Sequence, residues 1–292
     1  MAIKRSKASN SFDLFNHIFL LLVAILCILP IIYVVGASLA SDQELLAAKI
    51  FLIPKKASLE AYRYVFTTNV VPRSMLVSIF ITVIGTSINL ILTVLTAYPL
   101  SKKYVKGGKT ILMLIVFTMV FSGGMIPTYL VVTSLKLTNT FWSLWLPTAI
   151  SAFNLILIKS FFQQIPQELE EAAELDGCSQ WGILFKVVIP LSLPSLATIA
   201  LFYAVGHWNS YFPAILYIND PNKWPIQVWL RQIVLLSSGG FSNSSATSEI
   251  TAIPPQSMQY AVIVIATIPV LVLYPFLQKY FAKGALIGGV KG

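Results

Sequence analysis

The chain has 292 residues, of which 57% are hydrophobic and 11% charged, with a net charge of +9. Soluble domains carry about 25% charged residues, so a water-covered globule is excluded. The basic residues are spread between apolar blocks rather than gathered on one face, and no nucleic-acid motif accompanies them, which rules out a nucleic-acid surface.

Six apolar blocks follow in order: residues 14–39, 74–100, 110–133, 141–162, 191–218 and 258–281. Each approaches or exceeds the roughly 20 residues that cross a bilayer core as a tilted helix. The fold expected is all-α, a polytopic membrane protein with six transmembrane helices. The first block carries a basic flank and ends in Ser38-Leu39-Ala40, like a secretory signal peptide. Its apolar stretch is longer than the usual 7–15 residues of a signal core, so it is read as a retained span.

Loop charge sets the orientation. Lys4, Arg5 and Lys7 precede the first block, Lys102, Lys103, Lys106 and Lys109 follow the second, and Lys279, Lys283 and Lys291 close the chain. Six crossings put all three groups on one side, which the positive-inside rule makes the cytoplasm. Lys49, Lys55, Lys56, Arg63 and Arg73 on the opposite side dilute that signal. Two outer segments are long: 41–73, with a helix expected within 57–67, and 219–257, with a Ser/Gly-rich stretch at 237–245. Segments of that length without structure of their own are functional or flexible. The organisation read from this is a cytoplasmic tail (1–13), a first transmembrane helix with its external segment (14–73), a transmembrane domain (74–281) and a cytoplasmic C-terminal tail (282–292). Cys27 lies within the first block and Cys178 in a polar loop, a spacing that supports neither a disulfide framework nor a metal site.

The loop 163–190 faces the cytoplasm in this scheme and carries its own helix punctuation. Pro166 suits a first helical position. Glu168, Glu170 and Glu171 sit near the positive end of the helix dipole. Gly177 is free to take the left-handed conformation that stops a helix. Leu169, Ala172, Ala173 and Asp176 share one face by their i, i+3, i+4, i+7 spacing. That small-residue face admits another backbone. A second apolar stretch, 181–189, completes a helix–turn–helix elbow.

Glu171-Ala172-Ala173, three residues, Gly177, nine residues and then Val187-Val188-Ile189-Pro190 resembles the EAA loop of permease subunits of binding-protein-dependent ABC importers. The family pattern ends in I-x-L-P, so Val187 and Ile189 are conservative departures. Trp208-Asn209 with Phe212-Pro213 and the C-terminal Lys279–Gly284 and Gly288–Gly292 segments resemble the carbohydrate-type permeases. Residues 121–129 and 224–232 resemble the branch serving oligosaccharides and polysaccharide fragments.

The resemblance implies the type I ABC importer permease fold and a location in the bacterial inner (cytoplasmic) membrane, multi-pass, with both termini cytoplasmic. It implies coupling to a cytoplasmic ATPase through Glu168, Glu171, Ala172, Ala173, Asp176 and Gly177, with Glu171 in an ion pair to the ATPase. The implied partners are a second homologous permease subunit, two ATPase subunits, an extracellular or periplasmic solute-binding protein, a carbohydrate substrate and the lipid bilayer. ATP and Mg would be bound by the ATPase subunits and no cofactor by this chain. The chain itself would be non-catalytic, and it has no G-x-x-x-x-G-K-[ST] phosphate loop; Gly107-Gly108-Lys109-Thr110 lacks the upstream glycine.

Sugars are held by aromatic faces and hydrogen-bonding groups. Tyr203, His207, Trp208, Asn209 and Tyr211 supply such a cluster near the fifth block. Asn89 and Asn154 are polar groups inside apolar blocks, where such groups face a partner or a cavity. The bland explanation is that interfacial aromatics and interhelical amides are common in any membrane bundle. An ion-coupled secondary transporter is the rival reading; it needs ionisable groups near the midplane, and the block interiors hold almost none. A membrane-embedded enzyme would need a clustered acid, base, nucleophile or metal set, which two histidines and two separated cysteines do not supply.

Overall fold

The structure is a computed structural model and describes residues 7–47, 54, 57–237 and 256–288. The expectations placed on Lys4, Arg5, Lys49, Lys55, Lys56, Lys291 and most of the 237–245 stretch lie outside those residues. All regular structure among the described residues is helical. The chain divides into two units, Met1–Val71 with Gln232–Thr267, and Pro72–Arg231 with Ile268–Gly292.

In the first unit, α1 (Lys7–Ser38) contains an apolar stretch of 27 residues, Phe12–Ser38, about 40 Å of helix. No residue from Phe12 to Val35 is buried within the chain. Burial begins where the helix ends: Ala37 and Ser38 are fully buried, and the Ser38 hydroxyl lies 2.8 Å from that of Tyr62. The outer segment forms α2 (Asp42–Ala47) and α3 (Glu60–Thr67), the latter within the stretch expected to be helical. Asp42 accepts a hydrogen bond from the Ser257 backbone N–H at 3.0 Å.

The second unit is organised by α4 (Val70–Ser101). Its pattern inverts that of a soluble helix. Ser74, Ser78, Ile81, Asn89, Thr93, Ala97 and Ser101 are buried, at steps of three and four or multiples of four. Leu76, Val83 and Ile91 on the other faces are exposed. In lipid the apolar face gains nothing by turning inward, and small residues let helices approach. Gly85 lies in the same stripe, and a Cβ there would sit 2.6 Å from His207 Nε2 on α12 (Leu193–Trp208).

The remaining blocks are broken rather than continuous. The third becomes α5 (Gly108–Val120) and α6 (Met125–Ser134), bent by 117° across Phe121-Ser122-Gly123-Gly124, with Gly124 at φ +83°. The fourth becomes α7 (Trp142–Trp145) and α8 (Ala152–Phe162). Helix α8 has 11 residues, about 16 Å, too short to cross a core of about 30 Å. Pro147 and the N-cap Ser151, whose side chain accepts from the Asn154 N–H, cause the interruption.

After α9 (Gln167–Leu175) come α10 (Gln180–Ile183), a π-helical turn (Leu184–Val188) and α11 (Ile189–Leu191). These bend by 83° into α12, where Ser192 separates Pro190 from Pro194. Short α13 (Phe212–Tyr217) and α14 (Ile226–Ser237) follow, and α15 (Gln256–Gly288) runs on through 282–288, where a tail was expected.

Among the described residues, three helices are long and apolar enough to cross a membrane, and five crossings result if each bent pair counts as one. The expected six are therefore not reached by unbroken helices. Hydropathy registers the apolar length of a block but not the prolines and glycines that divide its backbone.

Replacing Gly85 by Val places methyl groups where the His207 ring lies. Overpacking of this kind costs about 1–3 kcal/mol. The detergent-purified subunit is expected to melt at a lower temperature than wild type, while Leu76→Val on the exposed face leaves the melting point unchanged.

Candidate functional site

Two sites emerge in the second unit: a cavity and an elbow. The cavity, about 580 Å³, is walled by the break between α7 and α8 and by the C-terminal half of α12 with the segment that follows it. Breaking a helix inside an apolar block leaves peptide groups without helical partners. Such backbone persists at membrane depth only where protein or a lined cavity satisfies it. Asn89 does this here. Its amide nitrogen donates to the carbonyls of Thr148, at 2.5 Å, and Ala149, at 2.9 Å. The amide oxygen is thereby oriented toward α12, and His207 Nε2 lies 2.6 Å from it. With both N–H groups of the amide committed to carbonyls, His207 Nε2 is the donor of that third bond. A second bridge runs alongside. The Tyr203 hydroxyl lies 2.7 Å from that of Thr93 and accepts from the Ser151 N–H at 3.0 Å.

The residues predicted for a substrate pathway thus separate. Asn154, Tyr203, His207, Asn209 and Tyr211 all line the cavity. Tyr203 and His207 do so with the Tyr203 hydroxyl and His207 Nε2 already committed to α4. Asn89 lies behind the wall, 1% exposed. Trp208 lines a different, apolar cleft with Thr82, Val205 and Leu273. Asn154 is 5% exposed, and among the described residues its side-chain amide has no hydrogen-bond partner. Tyr211 carries the Arg231 guanidinium over its ring at 4.9 Å, and Arg231 is exposed.

The elbow begins with Pro166 as the N-cap of α9, in an extended conformation one residue ahead of the helical position expected for it. It ends in a Schellman motif. The Cys178 N–H donates to the Ala173 carbonyl and the Gly177 N–H to that of Glu174, both at 2.9 Å, with Gly177 at φ +81°. Ser179 then caps α10 by accepting from the Gly182 N–H.

The face expected to be uniformly small is divided. Ala173 packs inward with Ile165 and Cys178 against a core that includes Ala97, Tyr98, Phe162 and Leu184. Glu168, Glu171, Ala172, Asp176 and Gly177 stand exposed, as does Leu175, at 90%. Glu170 turns inward and pairs with Lys102. Tyr104, beside this pair, has its phenol pushed above the ordinary range, first by partial burial and then by the carboxylates of Glu174 and Glu170.

The family model of the binding-protein-dependent transport system inner membrane component matches residues 45–286, spanning α4, the cavity and the elbow. The chain belongs to this family. It is 56% identical over 281 residues to the polygalacturonan/rhamnogalacturonan transport system permease protein YtcP of Bacillus subtilis, covering 96% of this chain and 98% of that one. It is 54% identical over 288 residues to Protein LplC of the same organism, covering 98% and 97%. Among solved structures it superposes with TM-score 0.87 and 34% identity on a chain of a bacterial ABC transporter involved in the import of the acidic polysaccharide alginate, covering 95% of this chain and 99% of that one. The fold is accordingly that of an ABC importer permease, all-α and multi-pass.

Against that fold, the sequence reading missed the residues that brace the permease cavity from behind: Gly85, Thr93 and the peptide groups at Thr148, Ala149 and Ser151. Their signal was available as the run of small and polar residues along α4 at helical spacing, hidden by its low contrast against an apolar background.

Asn89→Leu leaves two part-buried carbonyls and one buried imidazole N–H without partners. At about 1–3 kcal/mol for the buried imidazole N–H, and less for each part-buried carbonyl, the loss should be at least about 1 kcal/mol. Asn209→Leu, at an exposed position, should cost far less. Denaturant melts of the two detergent-purified variants provide the comparison.

Proposed function

We propose that this chain is a permease subunit of an ATP-driven importer and forms part of the translocation pathway for an oligosaccharide or polysaccharide fragment. The observation that carries this reading is 56% identity across 96% of the chain to a permease named for polygalacturonan and rhamnogalacturonan transport. Two further relatives fit the same class. The arabinooligosaccharides transport system permease protein AraQ of Halalkalibacterium halodurans is 27% identical over 92% of this chain, and the alginate importer shares its fold.

The elbow supports the coupling half of the reading. The outward residues of α9 are Glu168, Glu171, Ala172 and Leu175, a short acidic helix with an apolar tip that none of the described residues covers. In the proposed complex this surface docks on a cytoplasmic ATPase, with Glu171 paired to a basic residue there. A second permease, a second ATPase and a solute-binding protein complete the assembly. ATP and Mg reside on the ATPases. In this reading the elbow and both chain termini are cytoplasmic, which the lysines after α4 favour under the positive-inside rule and which counts the divided α7–α8 block as the sixth crossing.

The cavity supports the substrate half. Asn154 offers an amide without a partner among the described residues, Tyr211 an aromatic face, and Arg231 over that ring a cation suited to uronic-acid carboxylates. Tyr203 and His207 hold the wall in place.

Glu171→Lys reverses charge on the docking surface. Gly177→Pro removes the N–H that closes the Schellman motif and forbids its positive φ. Both variants should insert normally, yet lose co-purification of the ATPase from detergent-solubilised membranes and lose hydrolysis stimulated by the binding protein. Full stimulation in both would refute the reading. Asn154→Ala should raise the half-saturating oligosaccharide concentration for uptake by about 3- to 10-fold, the worth of one hydrogen bond, without changing the melting temperature.

A further inference from the structure

Lys102 follows directly on the last turn of α4 and pairs with Glu170 on α9. The side chains are only 11% and 14% exposed, so this is an enclosed ion pair at a place where the chain otherwise shows charge to its surroundings. The Lys102 ammonium also sits over the Tyr98 ring at 4.6 Å. Around the pair, the Tyr98 hydroxyl donates to Gln180 Oε1 at 3.1 Å, and Gln180 Nε2 donates to Glu174 Oε1 at 2.5 Å. From α8, Gln163 Nε2 donates to the Ser101 carbonyl at 3.3 Å. The end of α4 is therefore fastened to the inner side of α9, while the outer side of α9 carries the residues assigned to ATPase docking.

The fastening lies where α4 is intrinsically weakest. Pro99 supplies no backbone N–H to the last turn, so that turn relies on outside contacts to stay in register. Thirteen residues up the same helix, about 20 Å away, Asn89 holds the broken wall of the cavity and His207. One helix thus touches the elbow at one end and the cavity wall further along, and its only charged attachment to α9 among the described residues is Lys102–Glu170.

We propose that the Lys102–Glu170 pair is a positioning pair that transmits displacement of α9 to α4, and through Asn89 to the cavity, without itself contacting the ATPase. This rests on the importer reading given above. An enclosed pair suits the task because each ion holds the other in place. When one is removed, the remaining charge is left buried without compensation, whereas an apolar contact would permit α9 to slide over α4.

The test uses the complete importer, reconstituted in liposomes with its binding protein. Lys102→Glu, Glu170→Lys, the double exchange and the double Lys102→Met/Glu170→Met variant are compared with wild type. ATPase co-purification, basal hydrolysis, stimulated hydrolysis and oligosaccharide uptake are measured for each. The single variants should keep the ATPase bound with basal hydrolysis intact, and lose uptake per ATP by about 10-fold, within the usual range of coupling between sites. The double exchange should restore uptake to within about 3-fold of wild type, as a coupled pair requires.

The methionine pair keeps the site filled without charge. If it folds with a wild-type melting temperature and remains uncoupled, the role is transmission. If it couples normally, the ion pair is only structural and the proposal fails. Failure of the exchange to rescue, or wild-type coupling in the singles, also overturns it. Absence of the ATPase from the wild-type preparation would count instead against the importer reading.

Discussion

The structure turns on the need to satisfy peptide groups where an apolar segment is not helical. The fourth apolar block cannot continue through Pro147 and Ser151, and its exposed carbonyls would be costly in a medium without water. Asn89 meets two of them with one amide. That single residue dictates much else. Its oxygen selects the tautomer of His207, its position requires α12 to pass close by, and that closeness requires a glycine at position 85. The cavity exists because the break is braced instead of filled.

This arrangement accounts for the inverted character of α4. A helix whose inward stripe is Ser, Gly, Asn, Thr and Ala with one Ile has little apolar area to bury, and lipid would not reward burying it. The stripe serves close approach and hydrogen bonding, which are the terms that associate helices in lipid. The same helix reaches the elbow, where its contacts change from amide and hydroxyl bonds to an enclosed ion pair. The two chemistries match their surroundings: neutral bonds inside the bundle, and charge at its edge, where aromatic and amide groups partly enclose it.

Much of this was legible in the sequence. The apolar blocks, the elbow with its stop at Gly177 and the family resemblance follow from hydropathy, turn chemistry and motif spacing. Five of the seven proposed pathway residues line one cavity. What the sequence hid was the division of labour among them. Nothing in the residue types distinguishes Asn89, which braces, from Asn154, whose amide has no partner among the described residues, because both are asparagines in apolar runs. Likewise Glu170 and Glu171 are neighbours of identical chemistry, yet a helix turns successive residues by about 100°, so one faces Lys102 and the other faces away. The break in the fourth block escaped for a related reason: averaging hydropathy over a window erases the single proline that divides a helix.

The contrast between α1 and α4 has a consequence for how much each helix constrains its own sequence. Within this chain, α1 is asked for length and oiliness between Phe12 and Val35, since none of those residues is enclosed. A great many strings of Leu, Ile, Val and Phe meet that demand equally well. Helix α4 is asked for a particular side chain at almost every fourth step, and few strings comply. Two helices of nearly equal length and composition therefore carry very different amounts of information: most letters of α1 can be exchanged for one another, whereas the inward letters of α4 spell out the cavity.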